Sequence, residues 1–94
     1  MEYRDEHGAF EIETRWKEQL FYWEGSDGVE FQAGWGVSPG VIDLNSEARW
    51  EQDAPAWAAG RHALVLARLR EHSGHTVGVL ADDDEHRWMA FVTR

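Results

Sequence analysis

From Phe10 to Trp16, and again from Val29 to Trp35, apolar residues recur at every second position. A helix would scatter such residues around its circumference, whereas a strand gathers them on one face, because successive side chains leave opposite sides. In FEIETRW, Phe10, Ile12, Thr14 and Trp16 share a face and Glu11, Glu13 and Arg15 take the other. In VEFQAGW, Val29, Phe31, Ala33 and Trp35 oppose Glu30, Gln32 and Gly34. Between them lies LFYWE (20–24), more apolar on both faces, and then GSDG (25–28), whose Asp-Gly pair tolerates the positive φ of a hairpin turn. Residues 7–36 therefore read as a meander of three antiparallel strands with one apolar face.

The period then changes. Residues 41–44 suit a fourth, short strand, and Asn45 or Ser46 is placed to cap a short helix through SEARWEQ. Pro55 ends that helix and opens the main one, over about 55–73, with Asp53 as its cap and Gly74 as its left-handed stop. TVGVLA and WMAFVT are two further strands joined by the charged turn DDDEHR. The expected fold is α+β: a mostly antiparallel sheet of five to six strands with both helices packed on one face. The order is β-β-β-β-α-α-β-β, in one acidic domain over 1–94.

At 100° per residue, Ala56, Ala59, Gly60, Ala63 and Ala67 form a stripe of small side chains on the main helix. The expectation is that this stripe faces the sheet and receives Trp35, Phe31 and Trp16 as knobs, with Gly34 and Gly36 letting the strand bend over it. Arg61, Val65, Arg68 and His72 then fall on the opposite, solvated side, where Val65 and Leu69 would offer a homodimer contact.

A chain of 94 residues buries only about 60 to 65 percent of the surface that its unfolded form exposes, so its core must be dense in apolar area. Six tryptophans, four phenylalanines and two tyrosines supply that density. With no cysteine, disulfides, thiolate metal sites and a Cys nucleophile are excluded, which fits a cytoplasmic protein. The longest apolar-leaning run, 34–42, is broken by glycine and proline and is far shorter than the ~20 residues of a membrane span. The acidic start, MEYRDEHG, does not suit a signal peptide.

The net charge of −9 is unevenly placed: residues 1–54 carry thirteen acids and four bases, residues 55–94 five of each. Such a chain repels nucleic acid and anionic membranes and attracts basic proteins.

Motifs for bond-making chemistry are weak. In His72-Ser-Gly-His75 the glycine breaks the helix that a two-histidine metal site would need. The carboxylates of Asp82, Asp83, Asp84 and Glu85 lack the interleaved ligands and the glycine of a calcium loop. Ser26, Ser38, Ser46 and Ser73 sit in turns or caps without a nucleophile elbow, and the carboxylates of an open sheet face are too wet for their pKa values to rise. No catalytic residue, metal ligand or cofactor is expected.

GWGVSP (34–39), PAWAAGR (55–61) and RLREHSGH (68–75) resemble segments of a group of small bacterial proteins of unassigned function. They share a GWGV-x-P turn and a P-x-W-x-x-G-R helix start. The resemblance implies a bacterial single-domain protein and assigns no residue a role.

The leading expectation is a binding module, immunity- or inhibitor-like, that docks a basic partner through Glu11, Glu13, Glu30, Asp82, Asp83 and Asp84, with Glu24 as a further candidate. The alternative is a small-molecule pocket, enzymatic or not, where Trp35, Trp57 and Trp88 converge with an arginine such as Arg61 or Arg87. The third is a homodimeric structural domain.

Overall fold

The computed structural model describes residues 1–15, 19–33, 40–83 and 89–94. In chain order they form β1 (Glu2–Asp5), β2 (Gly8–Arg15), β3 (Gln19–Glu24), β4 (Asp27–Gln32), β5 (Val41–Leu44), α1 (Glu47–Asp53), α2 (His62–His72), β6 (Thr76–Val79) and β7 (Met89–Thr93). The main sheet is antiparallel throughout, in the order β1-β2-β3-β4-β7. A second sheet pairs β5 with β6 in parallel, Val41 opposite Thr76 and Leu44 opposite Val79, and α1 and α2 make the crossover between them. The fold is α+β, with a mostly antiparallel five-stranded sheet and two helices, as the alternation implied.

β1 lies outside the strands expected from the sequence; its Tyr3 turns inward and stacks on Phe10 and His72. The hairpin expected over GSDG is tighter than its sequence suggests. Glu24 pairs with Asp27, so the loop is Gly25-Ser26, and the positive φ of 66° belongs to Gly25. The expected hairpin through DDDEHR does not form, because β6 joins β5 while β7 adds to β4 in the other sheet.

The helices depart further from expectation. Ser46 caps α1, its Oγ accepting from the Arg49 amide at 3.2 Å. The main helix begins at His62, not at Pro55. Residues 55–60 form turns, Gly60 takes a φ of 74°, and its amide donates to the Glu51 carboxylate at 2.8 Å. The Ala58 carbonyl accepts from the Trp50 indole N–H at 2.9 Å and from the Arg61 amide at 3.0 Å, a turn-type bond three residues on in place of a helical one four residues on. Gly74, with a φ of 73°, stops α2 as expected.

The face of α2 is inverted relative to expectation. Ala56, Ala59, Gly60, Ala63 and Ala67 are exposed, whereas His62, Val65, Arg68 and Leu69 are buried. Val and Leu remove far more apolar area from water than alanine does, so they win the inward face. Val65 and Leu69 consequently belong to the core and offer no dimer contact. The core joins them to Phe10, Ile12, Leu20, Tyr22, Val29 and Phe31 of the sheet, to Ile42, Leu44 and Val77 of the parallel pair, and to a fully buried Trp50. Phe31 is thus a core residue; Trp16 and Trp35, expected beside it, lie outside the described residues.

Arg68 is buried because the sheet supplies everything its guanidinium needs. It donates to both Asp5 carboxylate oxygens at 2.6 and 2.9 Å and to the Tyr22 hydroxyl at 2.7 Å, and it lies over the Phe10 ring. Tyr22 in turn donates to Glu24 at 2.6 Å, and Glu24 is paired with Arg61 at 2.7 Å. Two cations and two anions therefore balance within one network that ties β1 and β3 to α2. Burial by itself would lower the Arg68 pKa, but the bonds to Asp5 and Tyr22 outweigh it and raise it. Burial, aided by the bond to Glu24, pushes the Tyr22 hydroxyl up. Glu24 therefore works inside this network and not on the outer sheet face.

Candidate interaction surface

The helices lie on one face of the main sheet, and no described helix or strand packs on the other. Along β2 the open face carries Glu11, Glu13 and Arg15; along β3, Gln19, Phe21 and Trp23; along β4, Gly28, Glu30 and Gln32. Two large aromatics on the side of a sheet away from the core are the feature to explain. Their rings stack at 5.5 Å with an interplanar angle of 2°. They are nevertheless only 7% and 2% exposed, because neighbouring side chains lie over them.

Among the described residues, an arginine lies over each ring. The Arg15 guanidinium lies 4.5 Å from the Phe21 ring centroid and pairs with Glu13 at 3.0 Å. Arg94 lies 4.6 Å from the Trp23 centroid and pairs with Glu11 at 2.8 Å. The Trp23 indole N–H donates to Glu13 at 3.1 Å. Its bond from Arg15 holds the Glu13 carboxyl below the usual range, and the Trp23 bond acts in the same direction. Glu30, opposite Phe21 across the β3–β4 ladder, accepts from the Gln19 amide at 3.1 Å and more weakly from Gln32. Gly28 makes the arrangement possible: a Cβ there would stand 2.5 Å from the Tyr22 carbonyl oxygen and inside the Trp23 ring edge.

Beside this pair, Glu2, Arg4, Ala9, Glu11, Trp23 and Arg94 line an open groove of about 490 Å³. Glu11, Glu13 and Glu30, expected to form an acidic face, do share one side of the sheet, but Glu11 and Glu13 are already matched to arginines of the same chain. Asp82 and Asp83 are exposed after β6, and Asp84 lies outside the described residues.

Of the expected tryptophan pocket, Trp57 is half-buried and edge-on to Phe91, and these two line a cleft of about 410 Å³ with Asp27, Asp53, Pro55, Val92 and Thr93. Arg61 turns instead to Glu24. Trp35, Trp88 and Arg87 lie outside the described residues. His72 stacks on Tyr3 while the His75 ring packs against Gly40 and its Nδ1 meets the Ser73 carbonyl, so the two rings serve different neighbours. Among the described residues no group of three or more His, Asp or Glu side chains is gathered as a metal site would need.

Sequence reasoning missed the aromatic pair and its arginine covers. A signal was present: LFYWE is apolar on both faces, and a strand with one buried side should not be.

The class this geometry defines is an α+β protein whose main sheet carries, on the side away from the described helices, a stacked aromatic pair rimmed by charge. Compared with protein-family models, curated proteins and solved structures, the chain matches no family, no curated protein and no solved structure. No helix among the described residues is long and apolar enough to cross a membrane.

Proposed function

We propose that the chain is a non-catalytic protein-binding module that docks a basic partner through the open face of its main sheet. The observation that carries this reading is the stacked Phe21–Trp23 pair set among Glu11, Glu13 and Glu30, on the side of the sheet away from the main core cluster. Protein interfaces concentrate their energy in such aromatic centres with polar rims. The surplus of acids in residues 1–54 would speed encounter with a positive surface roughly 10- to 1,000-fold at low salt.

The narrower form of the reading is an immunity- or inhibitor-like protein that neutralises a basic toxin, and a toxin reading frame directly upstream would support it. The resemblance to small bacterial proteins adds no residue role.

The test is capture of basic proteins from the host at low and moderate ionic strength, by the unaltered protein and by an E11Q/E13Q/E30Q variant. The expected result is salt-sensitive capture that the triple variant loses and a D82N/D83N variant keeps. Equal capture by all three would remove the open face from the proposal.

A second reading rests on the Trp57–Phe91 cleft, whose size suits a small molecule. A metabolite that shifts tryptophan emission in the unaltered protein but not in W57F would favour it.

A further inference from the structure

We infer that the open face recognises arginine in particular, and that Arg15 and Arg94 are resident occupants of two guanidinium seats which a partner's arginines would take over. The inference rests on the docking reading above and names the chemistry that the face selects. Each seat is an aromatic ring with a carboxylate beside it: Phe21 with Glu13, and Trp23 with Glu11. In both, a guanidinium of this chain lies over the ring and binds the acid at 3.0 Å or less.

That pairing suits arginine more than lysine. A guanidinium is planar, weakly hydrated and able to stack while its N–H groups point sideways to a carboxylate. An ammonium is a compact, strongly hydrated point charge that gains less from the same ring. Two copies of one arrangement, on neighbouring strands over a single stacked pair, make an arginine-selective surface out of residues away from the main core cluster.

Both occupants can be reached from solvent. The Arg15 and Arg94 side chains remain 48% and 38% exposed, in contrast to the buried Arg68 at 3%. Arg94 has two further anchors, its Nε donating to the Gly25 carbonyl at 3.1 Å and its backbone amide to the Ser26 carbonyl at 2.8 Å, and it reaches Trp23 from beyond the end of β7. The groove beside Arg94 gives an incoming chain room to lie. Glu30 supplies a third carboxylate on the same face, held among the described residues by amides and not by a cation. A basic segment with arginines two residues apart would meet these acids in the period of the sheet itself.

The experiment compares two peptides of equal length and charge, one with four arginines and one with four lysines, alternating with serine. Each is titrated into the unaltered protein and into R94A at low salt, by calorimetry and by tryptophan emission. The arginine peptide is expected to bind roughly fivefold more tightly than the lysine peptide. R94A is expected to tighten the arginine peptide several-fold further, with a change in Trp23 emission, and R94K to fall between the two.

Equal affinity for both peptides, with no gain in R94A, would overturn the arginine seats and leave the basic-partner reading standing. Failure of both peptides to bind would overturn the two together. The peptide comparison on the unaltered protein does not depend on any variant folding.

Discussion

Gly28 shows how one absent methyl group shapes a surface. Its position opposite Trp23 leaves the indole flat against the ladder, where Phe21 can stack on it and Arg94 can cover it. Gly28→Ala is expected to push the indole outward, cost about 1 to 3 kcal/mol in urea unfolding and shift tryptophan emission to the red. Unchanged emission and stability would mean that the ring has other room. The same residue explains a misreading: Asp-Gly was taken for the turn, whereas the glycine serves the strand and Gly25 makes the turn. Arg68 was misread for a comparable reason. Charge on a helix reads as solvent, and nothing within α2 reveals that Asp5, on the far edge strand, waits to pair with it.

At the scale of elements, the strands of the meander, the Ser46 cap and the Gly74 stop were legible, whereas β1 and the start of α2 were not. Period two is a property of consecutive residues, so β2, β3 and β4 can be read from a few positions each. The start of α2 depends on Trp50, which reaches out of α1 to hold the Ala58 carbonyl, and on Glu51, which holds the Gly60 amide. Both are contacts between elements and leave no periodic trace. Trp50→Phe tests this link. It keeps the ring and its edge-on contacts with His62 and Phe91 but takes one of two donors from the Ala58 carbonyl, which then keeps only the Arg61 amide. The expected cost is about 1 to 3 kcal/mol, with faster amide exchange confined to residues 56–61. A uniform loss of protection across the molecule would instead mark Trp50 as general filling.

For the whole molecule, pH reports on how β1 is tied to the helix layer. The bonds from Arg68 hold the Asp5 carboxyl at about 2, below its ordinary 3.8. The folded state therefore binds this proton less readily than the unfolded state does. Its contribution to stability is complete above about pH 5 and is lost as pH falls toward 2, and Glu13 acts in the same direction. Urea midpoints taken from pH 6 to pH 2 are expected to fall steeply for the unaltered protein and less steeply for D5N, which starts lower. Parallel curves would place the acid sensitivity elsewhere. The fold class was legible at this scale because composition and period agree. Strand order was not, since β7 beside β4 and β6 beside β5 are choices between partners distant in sequence.

That placement of β7 sets the order in which the protein assembles. The β1–β4 meander is built from neighbours and closes quickly, but the outer edge of β4 waits for a segment from the other end of the chain. A nascent polypeptide halted before Met89 would present Val29 and Phe31 on an uncapped strand, ready to pair with another molecule. The strand that follows β1–β6 in sequence is thus the one that covers the open edge of the meander made before it.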